Sequence, residues 1–585
     1  MAKRQYFRIQ DITGGWNPLQ NPVSIRDNQA ATVLNVRFDR VGSIMSRDGY
    51  SIYANVPNSS SILAIGRWLN QEDPTIYTTL LADSAGNIKT VDPVTPALTT
   101  IWSGLSNTQG EFLAVRDYLV YYNGADRPIF YNGTETGLLG VDAPASAPVL
   151  SAVAGSSPAG TWDYVYTYYD STTGSESVAS TSAELSVTGA QDVNVTYTAS
   201  TQARVDKIRI YRTLDSTPGT YLFLVEVANA TSSYTDSIPD ANLGLSTPPT
   251  TNYVPQNFDT MAYFKGYFFG SVNNVVYWSN AYLPDAWNPL NFSEVPFHGN
   301  DTIVAMVPYQ ESLIIFGRNN IVLLNGSGGS WSMARRDVEL GITGPRAYTH
   351  YGSSLIFMSY QGLREFPSGQ EFAPQLTNEF QDTGYLPHVA MATVPEERGV
   401  WVSYGGHIYT VFVPTQAASL YTLNTSQILS YGKDRRSPPL MISEDTLYIW
   451  EYGGSTDNGV DISMTWRSKV FELTNAETVK FFRRIGAFAS SGSGATVSIA
   501  IADNTNAPYS VALTQVSSGA VSYWGSAVWD SSVWTSEGLT YFQAGLPMPA
   551  LNGHTIQVSI TASTSVQTEV STPITFEYRE SDRFL

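Results

Sequence analysis

Apolar and polar residues alternate along most of this chain in short runs that are separated by Gly, Asn, Asp and Pro. A period of two is typical of β-strands with one buried face, and clusters of turn-forming residues end such strands. The pattern therefore predicts a protein that is almost entirely β, with strands that include Ile62–Trp68, Thr75–Ala82, Ile88–Val91, Thr260–Gly270, Ser312–Gly317 and Gly399–Tyr404.

One arrangement of strand, tight turn and second strand recurs along the chain. Its copies are Val115–Tyr131, Phe264–Ser279, Tyr309–Leu324 and Tyr351–Phe366. In the first copy, Asn123-Gly124 is a strong two-residue hairpin turn. Repeats spaced by roughly 40–50 residues match one four-stranded blade each, and the spacing predicts a β-propeller. An irregular β-sandwich built from similar hairpins is the alternative.

Proline-rich stretches near Pro144 and Pro248 bracket a separate set of alternating strands, which predicts an inserted immunoglobulin- or fibronectin-like sandwich. Long alternating strands resume after Gly453 and predict a C-terminal β-sandwich region. The expected organisation is an N-terminal arm with strands (1–50), a first propeller part (51–143), the inserted sandwich (144–252), the remaining propeller (253–455) and the C-terminal sandwich (456–585).

The composition agrees with a β-protein and limits the partners. Charged residues make up 14% of the 585 residues, against about 25% in average proteins, whereas Tyr (36), Trp (13) and Gly (46) are abundant. The net charge of −19 argues against tight or sequence-reading nucleic-acid binding. Residues 1–50 contain seven basic and four acidic groups, so this segment is at +3 and the rest at −22. The basic segment is either a solvated edge or a surface that docks on acidic protein, such as a neighbouring subunit.

The chain carries few groups for catalysis or metal binding. It has no cysteine, which excludes disulfides and thiolate metal sites and favours a reducing compartment. Its five histidines are scattered, and it has no nucleotide-binding or hydrolase motif, signal peptide or long apolar segment. We therefore expect no catalytic residue, no metal, no cofactor and no membrane segment. The turn Asp83–Asn87 resembles a calcium loop but is more typical of an ordinary turn.

Several short clusters leave alternatives open. Carboxylates at the axis of a propeller would suit a glycosidase, although such clusters more often lie in solvated loops; the candidates are Glu365, Glu371, Glu379, Asp382, Glu396 and Glu397. Three tryptophans between Tyr523 and Trp534 suit buried anchors or a carbohydrate platform. Basic pairs at Arg335-Arg336, Arg435-Arg436 and Arg483-Arg484 are most simply subunit contacts.

The opening of the chain carries the most specific pattern. Gly14-Gly15-Trp16-Asn17 is followed by the run from Asn35 to Tyr50, which has the form N-V-x-F-x-x-x-G-x-I-x-x-R-x-G-Y. In this position, before a long series of β-hairpins, the pattern resembles the tail nozzle proteins of short-tailed bacteriophages, also called tail tubular or DNA-stabilisation proteins. The residues that match are Gly14, Gly15, Asn35, Gly42, Arg47 and Gly49, and they are expected to be structural.

The resemblance implies a structural virion protein of the phage tail, assembled in the cytoplasm of the host bacterium. Its copies would form a ring, expected to be a hexamer, which binds a tail adaptor ring, continues the DNA channel, retains the packaged genome and opens for ejection. Contact with the double-stranded genome would be transient and non-specific, and the insert would bind tail fibres or decorate the outside. The alternatives are a tailspike-like propeller that binds or cleaves host-surface polysaccharide, and a free-standing lectin.

Overall fold

We describe the chain from a computed structural model. The description covers all residues except 1–3, 39–40, 58–59, 74, 231, 338, 382–383, 424, 430–437, 474–477, 492–495, 503–508, 515–539, 546–551, 565–566 and 581–585. Residues 63–341 form one compact unit, and residues 1–62 together with 342–585 form the other. In the sequence, residues 63–341 lie between the two segments of the other unit. We therefore call residues 63–341 the inner unit, and residues 1–62 with 342–585 the outer unit.

The first strands of the chain belong to the outer unit. They are short, and in β1 the positions alternate, with Gln5, Phe7 and Ile9 more buried than Tyr6 and Arg8. The strands are β1 (Gln5–Ile9), β2 (Ala30–Leu34), β3 (Val36–Arg37), β4 (Ser43–Ser46) and β5 (Gly49–Asn55).

Two four-stranded antiparallel sheets begin the inner unit, and in each the strands follow one another in sequence order. Their facing sides share a core that includes Trp68, Leu80, Leu119 and Tyr121. The first sheet comprises β6 (Ile62–Leu69), β7 (Tyr77–Asp83), β8 (Asn87–Val91) and β9 (Leu98–Ser103), and the second β10 (Glu111–Val115), β11 (Tyr118–Tyr122), β12 (Ile129–Tyr131) and β13 (Thr136–Leu138).

The insert is a β-sandwich of two sheets. One sheet has the order β14-β18-β21, and the other has the order β16-β15-β19-β20 with β17 paired to β15. Alternate aromatic residues of β15, Trp162, Tyr164, Tyr166 and Tyr168, enter the shared core. The strands are β14 (Val149–Ala154), β15 (Gly160–Asp170), β16 (Ser175–Glu176), β17 (Ala183–Val187), β18 (Gln191–Thr196), β19 (Lys207–Leu214), β20 (Thr217–Ala228) and β21 (Ser233–Asp236).

Two further four-stranded meanders complete the inner unit. The turn Lys265-Gly266 joins the first two strands with φ values of 47° and 88°, as a two-residue hairpin turn with both central residues left-handed requires. The strands are β22 (Thr260–Phe264), β23 (Tyr267–Val272), β24 (Val275–Trp278), β25 (Phe292–Glu294), β26 (Ala305–Tyr309), β27 (Ser312–Phe316), β28 (Ile321–Ser327) and β29 (Ser330–Asp337). The first strands of successive sheets contact one another: β10 contacts β22, and β22 contacts β26.

The outer unit repeats this arrangement, with first strands β30, β33 and β37 in contact in that order. Helix in the outer unit includes α1 (Thr377–Phe380) and 3-10 turns at Pro374–Leu376 and Pro395–Glu397. The strands are β30 (Tyr348–Tyr351), β31 (Ser354–Ser359), β32 (Gly362–Phe366), β33 (Ala390–Val394), β34 (Gly399–Tyr404), β35 (His407–Phe412), β36 (Ala417–Tyr421), β37 (Gln427–Leu429), β38 (Leu440–Ser443) and β39 (Thr446–Glu451). In the last of these sheets β5 pairs with β39.

The late strands of the chain form a second β-sandwich together with the earliest ones. They are β40 (Thr456–Asp457), β41 (Val460–Glu472), β42 (Lys480–Ser491), β43 (Thr496–Ala502), β44 (Tyr509–Thr514), β45 (Thr540–Gly545), β46 (Asn552–Gly553), β47 (Thr555–Thr564) and β48 (Thr568–Glu580). One sheet contains β3-β4-β48-β42-β45, with β1 also on β48. Facing it, β41 pairs with both β2 and β47, and the sheets enclose Trp466, Ile560 and Phe576.

The predicted fold class is confirmed. The chain is all-β, with successive antiparallel meanders whose first strands contact one another, which is the blade arrangement of a β-propeller. It also contains the inserted sandwich and the C-terminal sandwich. No helix in the described part of the chain has the length and apolar character needed to cross a bilayer.

Candidate functional site: a buried arginine centre in the N-terminal motif

Arg47 lies between β4 and β5, and its side chain is fully buried (0% exposed). Its Nη1 donates to Asp457 Oδ1 (2.7 Å) and to the carbonyl oxygen of Asp48 (2.9 Å), and Nη2 donates to Asp457 Oδ2. Nε donates to Asn35 Oδ1 (2.9 Å). A guanidinium held by both carboxylate oxygens has a fixed orientation, which a lysine ammonium would not provide.

Asn35 connects the arginine to two other strands. It adopts a φ of 53°, a left-handed conformation that Asn tolerates better than most residues. Its Nδ2 donates to the carbonyl oxygen of Ser463 in β41 (2.8 Å), and its Oδ1 accepts from the backbone N–H of Thr422 (3.0 Å). One amide side chain therefore links the turn between β2 and β3 to β41 and to the residue after β36.

Aromatic rings surround the guanidinium. Its Cζ lies 5.6 Å from the centroid of Tyr421 and 5.8 Å from that of Trp450, and these rings are stacked at 7°. The Tyr421 hydroxyl donates to Glu397 Oε2 (3.3 Å), and Trp401 Nε1 donates to the same oxygen (3.2 Å). Burial, together with the charge of Glu397, raises the pKa of Tyr421 well above its ordinary value, so that the phenol stays protonated as a donor.

A second ion pair lies beside the first. Arg37 donates to Asp48 Oδ2, and the Asp48 side chain is 1% exposed. The other oxygen, Asp48 Oδ1, accepts from the backbone N–H of Gly453 (3.2 Å). Two cations, Arg37 and Arg47, thus face two carboxylates, Asp48 and Asp457. Balanced charge is one condition under which buried ions are tolerated.

The motif glycines lie where other chain segments approach closely. Gly15 has a φ of 77°, and a Cβ there would lie 2.3 Å from the backbone nitrogen of Ala418 in β36. A Cβ on Gly49 would lie 2.0 Å from the carbonyl oxygen of Thr456. The other two glycines contact Asn28 (Gly14) and Thr572 (Gly42).

The structure brings Asn35, Arg47 and Gly49 to one buried centre, whereas Gly14, Gly15 and Gly42 lie at separate contacts. The Arg47 side chain is buried, and its contacts in the described part of the chain are with other protein groups. This geometry suits a structural role, in which the centre connects the earliest strands to later strands of the outer unit. The assignment of these six residues to a family motif stays a prediction.

The candidate catalytic carboxylates are engaged in local contacts. Glu365 Oε1 accepts from Ser354 (2.5 Å), Glu371 pairs with Arg364 (3.3 Å), and Glu379 Oε2 accepts from Tyr409 (3.3 Å). Asp83 pairs with Lys89 (2.5 Å) and accepts from backbone N–H groups of its own turn. The predicted features at Asp382, Arg435-Arg436 and Tyr523–Trp534 lie outside the described residues.

A second buried arginine, in the inner unit, was not found from the sequence. Arg204 of the insert pairs with Asp170 of the insert (2.9 Å) and with Asp285, in the loop between β24 and β25 (2.8 Å). Its Cζ also lies 4.5 Å from the ring centroid of Phe130 in β12. Burial alone would raise the pKa of Asp285, but hydrogen bonds and charge from Arg204 outweigh it and lower the pKa. The insert is therefore fixed to its neighbouring sheets by buried charges.

The outer unit also contains a polar cleft of about 410 Å³. Its walls come from residues 11–41 and from loops at 374–375 and 415–416, and they carry the amides of Asn17, Gln20, Asn28, Gln29, Gln375 and Gln416 beside Asp11 and Arg26. Asp11 is itself occupied, since it accepts from Thr13 and Asn28.

Comparison with known proteins adds little to this geometry. No family model matches the chain, and no curated protein matches it. The computationally designed Ika8 protein aligns at 11% identity, over 68% of this chain and 99% of that chain, with a TM-score of 0.33. BamB from Moraxella catarrhalis aligns at 10% identity, over 77% of this chain and 100% of that chain, with a TM-score of 0.31. The WD40 domain of Neurospora crassa Pan2 aligns at 8% identity, over 69% of this chain and 94% of that chain, with a TM-score of 0.25. TM-scores this low support no conclusion about family or function. The fold class rests on the strand pairing of this chain.

Proposed function

We propose that this chain is a ring-forming structural subunit of the tail nozzle of a short-tailed bacteriophage, which continues the DNA channel, retains the genome and opens for ejection. The observation that carries the proposal is the N-terminal motif. Asn35, Arg47 and Gly49, three of the residues that match the nozzle pattern, lie at contacts between the earliest strands and later segments of the outer unit. Matching residues that make buried contacts in the fold support a family resemblance better than matching residues without such contacts.

Charge supports the same proposal. With a net charge of −19, the chain repels phosphate, and a wall of this sign lets DNA slide where a lysine-rich wall would hold it. On this proposal the protein acts mechanically: contacts between subunits form a tube, loops narrow its bore, and a conformational change opens it. No catalytic residue, metal or cofactor takes part.

Imaging of the purified chain tests the proposal. We expect particles with six-fold symmetry and an axial hole in negative stain, either for the chain alone or after addition of the phage's adaptor ring. A chain that remains monomeric at every concentration, with and without the adaptor, would contradict the nozzle assignment.

The polar cleft favours one alternative, a propeller that binds or cleaves host-surface polysaccharide. Amide side chains such as those of Asn28 and Gln375 donate to and accept from sugar hydroxyls, and about 410 Å³ accommodates a small saccharide. A reducing-end assay on purified polysaccharide of the host surface tests for cleavage, and a direct binding titration with the same polysaccharide tests for binding alone. Turnover that is lost in Asn28→Ala would establish the alternative, and its absence together with six-fold rings would support the nozzle.

A further inference from the structure

The outer face of the sheet formed by β1, β48 and β42 carries a cluster of arginines. Side chains in these strands alternate, so that Phe7, Phe576 and Ile485 enter the sandwich core while their neighbours point outward. The pairing register places Tyr6 and Arg484 on either side of Glu577, and Arg8 beside Thr575.

Charge on this face is unbalanced. Arg4 lies 3.4 Å from Glu577 and Arg484 lies 4.0 Å from it, so one carboxylate serves two cations. Arg8 has no carboxylate partner among the described residues. The three arginines and Glu577 together give the face a net charge of +2. We call these four residues, with Tyr6, the basic face.

The face is exposed and slightly concave. The side chains of Arg4 and Arg484 are 58% and 57% exposed, and Tyr6 is 64% exposed. A depression of about 130 Å³ lies between Tyr6, Arg8 and Arg484, with Gly486 and Thr575 in its lining. Exposed Tyr and Arg side chains around a depression are the residue types enriched in protein interfaces.

The inner unit has the opposite charge. Residues 63–341 contain 26 Asp and Glu against 12 Lys and Arg, a net charge of −14, whereas the outer unit carries only −5 of the chain's −19. Each copy of the chain thus presents a basic face and a strongly acidic unit. A contact between two different surfaces of identical chains is head-to-tail, and such contacts generate rings when the rotation closes.

We propose that the basic face docks on the acidic inner unit of a second copy of this chain, and that Arg4, Arg8 and Arg484 pair there with carboxylates. This inference rests on the proposed function, because it supplies the contact between neighbouring subunits of the ring. Charged pairs of this kind set the orientation of the partners and accelerate their encounter.

Charge reversal tests the proposal. We compare the wild-type chain with Arg8→Glu/Arg484→Glu by mass photometry over a concentration series at low and high salt. A matched control is Arg467→Glu, an exposed arginine on the outer side of β41 in the facing sheet. Arg8→Glu/Arg484→Glu is expected to raise the dissociation constant of self-association about tenfold or more, whereas Arg467→Glu should associate like the wild type. Association of the wild type should also weaken as salt screens the charges.

The outcomes are distinguishable. If the wild type forms rings and Arg8→Glu/Arg484→Glu, with an unchanged circular dichroism spectrum, forms them equally well, the docking proposal is overturned and the nozzle proposal is not. If the wild type never associates, the docking proposal fails, and the nozzle proposal fails with it only if the adaptor ring does not induce rings either. If the variant assembles normally but no longer binds a fluorescent DNA duplex that the wild type binds, the face is a nucleic-acid surface and the docking proposal is wrong.

Discussion

Replacing Arg47 by methionine tests whether the buried centre holds the outer unit together. Methionine preserves most of the side-chain volume, so the change removes the charge and four hydrogen bonds without opening a large cavity. It leaves the carboxylate of Asp457, which is only 17% exposed, without its cation. Removing one partner of a buried ion pair costs about 3–5 kcal/mol. Since a whole domain is stable by about 5–15 kcal/mol, this is a large fraction of the total.

The assay has to report on the outer unit alone, because a chain of two units does not unfold in one transition. We therefore propose hydrogen-exchange mass spectrometry in increasing urea, followed on peptides from β39 and β41. Arg47→Met should lower the free energy of opening of both strands by about 3–5 kcal/mol. The exposed control Arg467→Met should lower it by less than about 0.5 kcal/mol.

A double-mutant cycle identifies the source of the loss. In the background of Asp457→Asn, no uncompensated carboxylate remains, so the additional cost of Arg47→Met should fall by at least about 1 kcal/mol. The reasoning would be refuted if Arg47→Met alone cost less than about 1 kcal/mol, or if its cost were the same with Asp or Asn at position 457.

Three further predictions concern the glycines, the insert and DNA. Gly15→Ala should lower the free energy of opening of the outer unit by at least about 2 kcal/mol more than Gly453→Ala in the same hydrogen-exchange assay. Both glycines have φ near 78°, but only Gly15 has a backbone atom, Ala418 N, 2.3 Å from the added Cβ; equal effects would contradict the close approach. Because Arg204 keeps the pKa of Asp285 low, the pair's stabilisation of the insert is fully present above about pH 5 and is lost progressively as the pH falls through and below about 4, so exchange protection of β15 should be constant from pH 7 to about 5 and then decline; unchanged protection down to pH 2.5 would speak against it. Binding to duplex DNA should be weak, independent of sequence and abolished by salt in a fluorescence anisotropy titration, and a tight sequence-dependent complex would be inconsistent with the acidic chain.

Local patterns in the sequence predicted the strands better than the turns. Asn123-Gly124 is not a two-residue hairpin turn, because residues 123–128 separate β11 from β12. The predicted single strand Thr260–Gly270 is wrong, because the Lys265-Gly266 turn divides it into β22 and β23. The repeat at Phe264–Ser279 contains β23 and β24, which are joined by a two-residue turn at Asn273-Asn274 as the pattern predicts. The alternation of β15 within the insert likewise predicted a sandwich strand. A period of two identifies which face of a strand is buried but carries no information about its partner. For this reason the pairing of β1 and β4 with β48 could not be read from the sequence.

The candidate site shows the same limit. The matching pattern singled out Arg47, but Asp457 lies about 400 residues further along the chain, and no local signal connects the two. Arg204 and Asp285 escaped notice for the same reason, because an isolated arginine in a strand-rich insert reads as a surface residue. Buried ion pairs between distant segments are properties of the assembled fold, and sequence patterns of short range do not contain them.

The pairing of β1 with β48 also determines when the protein can finish folding. Phe7 lies opposite Phe576 in that pair. At a ribosomal rate of about 5–20 residues per second, the early strand waits on the order of half a minute to two minutes for its partner to be made. The inner unit is synthesised entirely within this interval and can fold meanwhile. A ribosome that stops before β48 leaves β1 without its partner and β4 paired only with β3, so a truncated chain lacks a completed sandwich. The order of the strands therefore makes completion of the sandwich depend on synthesis of the chain through β48.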